Sequence, residues 1–257
     1  MFLFLASLPF WLGAFFTVLL PTALAMTGPF IIRKRLPLSR LVKNNEVAGF
    51  HFGTVGVIYA VMLAFAIVTV WEKFSEAELF VLHEAGASAA LHRFAAGPEP
   101  DAVAMRAAIN VYMQSAVEEE WPRMAAARES RETARALDAL YAAAMRLGEG
   151  KAAAVGVEIM RELGNITQAR RGRLHLAMGV VPPALWTMLI FGAALTIGFS
   201  YFFGLEDLRA QTMMTGGLSS IVFLGLFIIV SYNYPFTGEV SVEPHPVISV
   251  MENFRGR

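Results

Sequence analysis

The sequence predicts an all-α membrane protein with four transmembrane helices, the second and third of which extend into an extramembrane helical domain. Three observations carry this. The chain of 257 residues is 56% hydrophobic and only 16% charged, too apolar for a water-soluble domain. Four apolar runs, at residues 4–26, 53–71, 183–203 and 213–232, approach or exceed the roughly 20 residues that cross a bilayer as a helix. Backbone amides in lipid have to bond within their own segment, which makes each run a helix. The intervening residues 72–178 carry helical start and stop signals throughout. The implied divisions are 1–71 (two spans and a basic loop), 72–178 (the helical domain), 179–234 (two more spans) and 235–257 (a tail).

In chain order, the first run ends in Ala23–Met26, which resembles a small-residue cleavage site. No Lys or Arg precedes it and it outlasts a usual signal core, so a retained first span is expected. Arg33, Lys34, Arg35, Arg40 and Lys43 follow, against the single acid Glu46. The positive-inside rule places this loop in the cytoplasm and puts the N-terminus and the helical domain on the periplasmic side. Arg170, Arg171 and Arg173 precede the third span and argue the other way, although long segments translocate largely regardless of charge.

Asn44, Asn45 and Glu46 open the second span and suit a helix cap, with a gate at the membrane entry as the alternative. Gly53, Gly56, Ala60 and Ala64 in that span, and Gly192, Thr196 and Ser200 in the third, form small-residue stripes that let helices approach closely. The contact is either within one chain or between copies. A homo-oligomer is expected, because the stripes exceed what one thin four-helix subunit needs.

The second span runs on without a Gly or Pro break from 72 to 85. Ile67, Val70, Phe74, Ala77, Val81, Glu84, Ser88 and Leu91 follow the alternating three-and-four spacing of a packed helix face. Gly97–Asp101 is a turn, with Asp101 expected to cap a helix over 102–119 that Pro122 closes. Ser130 starts a helix that Gly148 and Gly150 end, and a last one runs from about Lys151 to the double proline at 182–183. The 15 acids and 13 bases of 72–175 are scattered, as in a solvated bundle. Trp186 and Tyr201 bracket the third span as aromatic anchors. A short loop makes the third and fourth spans an antiparallel pair, and the proline-rich tail after Pro235 reads as extended.

Catalytic chemistry is sparse. There is no cysteine, the five histidines are dispersed, and no nucleotide, hydrolase or metal-ligand spacing occurs. An enzyme, a metal site and a cofactor are therefore not expected. A net charge of zero gives no footprint for nucleic acid. The four apolar runs contain no Asp, Glu, Lys, Arg or His, which counts against a mid-membrane proton relay or charged transporter site but permits a pore lined by hydroxyls and backbone. The ionic group outside the runs is Glu72, Glu76 and Glu84 with Arg161, Arg170, Arg171 and Arg173. A carboxylate in a packed face must find a partner or take up a proton. This group is either an ion-pair clamp or the charged wall of an ion vestibule.

Several stretches together resemble a known family: residues 44–74 (NNEVAGFHFGTVGVIYAVMLAFAIVTVWEKF), HEA at 83–85, EEEWP at 118–122, RELGN and RRGR before the third span, and YPFTGEVSV at 234–242. They are similar to the bacterial and plant membrane proteins grouped as a bestrophin-like domain of unknown function. The resemblance covers Asn44 to Val242. It implies four spans with a helical domain between the second and third, in a bacterial inner membrane. The bestrophins that give the family its name are pentameric anion channels. Their aromatic pore neck and acidic calcium clasp have no counterpart in this chain. The expected function is an oligomeric channel for an inorganic anion, with the lipid bilayer and copies of itself as partners. The alternative is a non-conducting scaffold or sensor whose helical domain binds a partner.

Overall fold

The computed structural model describes residues 2–43 and 45–255, and every regular element among them is a helix. Asn44, one of the expected cap residues, lies outside the described residues. In order, the helices are α1 (Phe2–Ala6), α2 (Phe10–Ala14), α3 (Leu20–Ala25), α4 (Gly28–Arg35), α5 (Leu38–Lys43), α6 (Asn45–Phe94), α7 (Pro100–Ser115), α8 (Trp121–Met124), α9 (Arg131–Glu149), α10 (Ala153–Ala177), α11 (Pro183–Ser200), α12 (Leu208–Tyr232) and α13 (His245–Arg255). Wide π-turns at Phe15–Leu19 and Ala116–Glu120 join α2 to α3 and α7 to α8. The chain divides into two compact units, 2–72 with 180–233 and 73–179 with 234–255. Helix α6 contributes to both.

Four helical segments are long and apolar enough to cross a membrane: Phe10–Arg35, Asn45–Phe94, Pro183–Ser200 and Leu208–Tyr232. The first begins later than residue 4, because Pro9 interrupts the ladder and leaves α1 as a separate turn. Phe2 of that turn stacks on Trp186 with ring centroids 3.9 Å apart.

Both π-turns end just before a proline, at Pro21 and Pro122. Proline has no N–H and its ring crowds the preceding turn, and a widened turn relieves both problems while the helix continues. Pro122 therefore does not close its helix, which runs on to Met124. Nor does Asp101 cap α7, which begins at Pro100 after Glu99 with no side-chain cap bond. Ser130 does cap α9, its Oγ accepting the Thr133 N–H at 3.2 Å. The approach to the third span is helical in two pieces. Helix α10 stops at Ala177, Gly179 takes φ 98°, and α11 restarts at Pro183. The tail is not extended as expected: prolines at 244 and 246 start a helix there, and α13 packs on α7.

In the membrane unit, Tyr59, Ala66 and Val70 of α6 are buried against α11 and α12. Glycines set the closest approaches. A methyl group at Gly192 would lie 2.5 Å from the Tyr59 ring, and one at Gly225 would lie 2.6 Å from Leu63. Gly192 and the buried Thr196 thus serve contacts inside one chain, while Ser200 bonds the Ile197 carbonyl at 2.6 Å. Gly53 and Gly56 have nothing within 4 Å of such a methyl, and Ala60 and Ala64 are exposed.

Gly192→Ala is expected to lower stability by about 1–3 kcal/mol through overpacking. Gly198→Ala, where nothing lies within 4 Å, should be neutral or slightly stabilising. Thermal unfolding of the two variants in the same detergent checks this.

Candidate functional site

In the second unit the seam of α6 is buried: Ala77, Val81 and Leu91 are fully enclosed, with Glu84 2% and Ser88 1% exposed. Burying the Glu84 carboxylate requires compensation, and two elements supply it. Arg173 of α10 donates from Nε to Glu84 Oε2 at 2.5 Å and from Nη2 to Oε1 at 2.8 Å, a bidentate pair. The Tyr112 hydroxyl of α7 donates to Glu84 Oε1 at 2.5 Å. Glu120, on the π-turn before Pro122, is fully buried and accepts from Arg170 Nη2 at 2.5 Å. Arg173 Nη2 also reaches Glu120 Oε2 at 3.4 Å, so the two pairs form one network. Arg170 Nη2 further donates to the carbonyl of Ser130, the α9 cap, at 3.3 Å. The Arg173 guanidinium lies 4.7 Å from the Trp121 ring centroid.

The network holds two carboxylates and two guanidinium groups, so its buried charge sums to zero. Burial by itself would push the Arg173 guanidinium toward its neutral form. The adjacent Glu84 charge and hydrogen bond outweigh that, and its pKa is raised. Burial, and then the Glu84 charge, raise the Tyr112 phenol well above its ordinary value of 10.0.

The expected ionic group is thus only partly assembled. Glu84, Arg170 and Arg173 meet. Glu72 is exposed, Glu76 pairs with Lys73 at 2.6 Å, Arg161 bonds Glu158 and Glu162 on its own helix, and Arg171 is exposed. Spacing explains the division, because residues three apart share a helix face, whereas Arg171 is turned about 100° from Arg170. Glu120 is not among the residues singled out from the sequence. Glu118 and Glu119 are exposed. The inward acid is the one that continues the buried face of Met105, Ile109, Tyr112 and Ala116 at helical spacing.

The tail is strapped to the same place. The Trp121 indole N–H donates to the Val242 carbonyl at 3.1 Å, and the Thr237 hydroxyl donates to the Ala125 carbonyl at 2.9 Å. Phe236 meets Trp121 edge to face. The HEA, EEEWP, RRGR and YPFTGEVSV stretches therefore converge on one core.

In the membrane unit, Asn45 does more than start a helix. Its side chain accepts the Gly204 N–H at 2.8 Å and donates to the Gly204 carbonyl at 3.0 Å. Arg33 donates to the carbonyl of Leu205, and Gln211 to that of Phe203 at 2.7 Å. The Asn45 and Arg33 bonds fasten the α11–α12 loop to the basic α4–α6 segment, and the Gln211 bond ties the same loop back to α12. Glu46 is exposed and takes no part. Among the described residues no group of three or more His, Cys, Asp or Glu is placed to hold a metal.

Glu84→Gln leaves the Arg173 charge without its counter-ion and is expected to cost about 3–5 kcal/mol. Arg171→Gln, at an exposed position, should stay within about 0.5 kcal/mol. Chemical unfolding of the two variants measures the difference. Because the folded state holds the Tyr112 proton more tightly than the unfolded state, Tyr112 contributes stability that is full below pH 10 and is lost as the pH rises further. Unfolding temperatures should fall more steeply above pH 10 in the wild type than in Tyr112→Phe.

A family model described as the bestrophin-like domain matches residues 19–247. No curated protein matches the sequence. Among solved structures, a bacterial bestrophin homologue from Klebsiella pneumoniae, in a singly substituted form, aligns with a TM-score of 0.72 at 15% identity, covering 93% of this chain and 98% of that one. A second structure of a bacterial bestrophin homologue from Klebsiella pneumoniae gives 0.71 at 15% identity, over 93% and 97%. A further structure, described only as a membrane protein, gives 0.72 at 15%, over 93% and 97%. At such identity the likeness establishes the fold. With the family model matching most of its length, the chain belongs to the bestrophin-like family of integral membrane proteins.

Proposed function

We propose that the chain is one subunit of a homo-oligomeric membrane channel that passes inorganic anions. The observation that carries this reading is the open face of α6. Only 17% of its most apolar stretch is buried within the chain, against 44% for α12. Phe50, Val57 and Phe65 are 75%, 65% and 70% exposed, and Gly53 and Gly56 beside them meet nothing. The span has no Asp, Glu, Lys, Arg or His between 53 and 71, so copies brought together along that face would enclose an uncharged path, with Gly, Ala and Thr side chains among its apolar ones. Family membership supports the same reading.

The buried pairing of Glu84 favours a structural role for the ionic core over the lining of a vestibule. This pairing also supports the second reading, a non-conducting scaffold or sensor. The two readings part in one experiment. Protein reconstituted in liposomes should carry chloride or another small anion as a channel, and an intact oligomer that carries no ion at any pH or voltage is the outcome for the scaffold.

The oligomer itself is tested at Gly56. A Cβ at Gly56 has nothing within 4 Å inside the chain, and Gly56→Leu is expected to leave the subunit folded while weakening or abolishing the assembly seen by light scattering. The basic loop supports a cytoplasmic α4–α6 connection and a periplasmic helical domain in a bacterial inner membrane. The chain has no cysteine, so Glu129→Cys, at an exposed position, offers a single thiol. An impermeant reagent added to intact cells should label it, and exclusion of the reagent would reverse the orientation.

A further inference from the structure

At one end of the membrane unit lies a cavity of about 410 Å³, lined by Leu36, Arg40, Leu41, Val47, Ala48 and Phe202. Arg40 is its only charged wall; the other five side chains are apolar. The cavity sits where α6 begins and α11 has just ended, at the ends of two helices long and apolar enough to cross a membrane. Its walls are fastened rather than loose. A methyl group at Gly204 would lie 2.6 Å from the backbone nitrogen of Val42, so the two loops are in backbone contact, and the Asn45 and Arg33 bonds hold them there.

The charge around it is uncompensated. Arg40, Lys34, Arg35 and Lys43 are exposed, and among the described residues none has an ion pair or side-chain hydrogen bond. Arg33 is occupied by the carbonyls of Leu205 and Glu206. The nearest acid along the chain is Glu46, and Glu206 and Asp207 lie on the α11–α12 loop that Asn45 and Arg33 hold; all three are exposed, and Asp207 is engaged as the cap of α12. An apolar cavity with a free guanidinium at its rim matches an amphiphile whose phosphate meets the cation and whose hydrocarbon fills the space. A free phosphate would leave the apolar walls wet, and a zwitterionic headgroup would not use the surplus of bases.

We propose that this cavity binds one anionic phospholipid, with its phosphate on Arg40 and the start of an acyl chain against Leu36, Leu41, Val47, Ala48 and Phe202. The full-length protein, delipidated in detergent, is titrated by native mass spectrometry with phosphatidylglycerol, with phosphatidylcholine of the same chains, and with glycerol phosphate. Phosphatidylglycerol should be retained in preference to phosphatidylcholine, and glycerol phosphate should not be retained. Arg40→Gln should weaken phosphatidylglycerol retention about five-fold, close to the ~1 kcal/mol of one basic residue at a lipid surface. Ala48→Phe, which fills the cavity, should remove the preference. Arg171→Gln, in the other unit, should change nothing. Equal retention of the two lipids, or unaltered preference in folded Arg40→Gln, overturns the proposal. Binding of glycerol phosphate as tight as that of the lipid would also overturn it, by making this a free-anion site.

Discussion

Four charges enclosed in the helical unit have to cancel, and much of that unit is arranged to let them. Glu84 comes from α6, Glu120 from the π-turn after α7, and Arg170 and Arg173 from α10, with Tyr112 completing the Glu84 carboxylate. Such a network contributes little net stability over a well-packed apolar core, since each ion loses its hydration. Its effect is on register. Sliding α10 by one residue past α6 would bury Arg171 and leave Glu84 unpaired, at a cost of several kcal/mol. The same geometry ties in α9 through the Ser130 carbonyl and the tail through Trp121.

Proline is handled in the same way at two distant places. Pro21 lies in the first span and Pro122 in the helical unit, and each follows a five-residue π-turn. In the second case the turn keeps the buried face of Met105, Ile109, Tyr112 and Ala116 in phase through Glu120, while Glu118 and Glu119 face water. The helix continues past its proline and the seam ends on the carboxylate that meets Arg170.

The membrane unit follows a different logic. It has no buried ion pair among its described residues, and close packing rests on Gly192 against Tyr59 and Gly225 against Leu63. Polar bonds sit at both ends: Asn45, Arg33 and Gln211 hold the 203–205 backbone at one, and the buried Asn233 side chain accepts the Val180 and Val181 N–H groups before α11 at the other. One face of α6 is left without a partner in the chain. That open face is the observation on which the proposed assembly rests, and the basic loop is the one on which the proposed lipid contact rests.

Helical class, the four spans and the seam from Val70 to Leu91 are legible in the sequence because each rests on local hydrophobic length or periodicity, which a chain carries in any environment. So are Glu84 as a costly member of its face and the Ser130 cap. Which arginine meets Glu84 is a separate matter: Arg161, Arg170, Arg171 and Arg173 are alike in composition, and only helix phase and the approach of α10 to α6 distinguish them. The pairing of Glu120 with Arg170, the packing of the helix at 245–255 and the Asn45 bonds to Gly204 are likewise tertiary. Each depends on a partner far along the chain, whose distance in space no local pattern records. The two small-residue stripes make the same point, since identical chemistry packs inside the chain at Gly192 and stays open at Gly53 and Gly56. Small residues permit close approach, but the placement of the neighbouring helix decides whether it occurs.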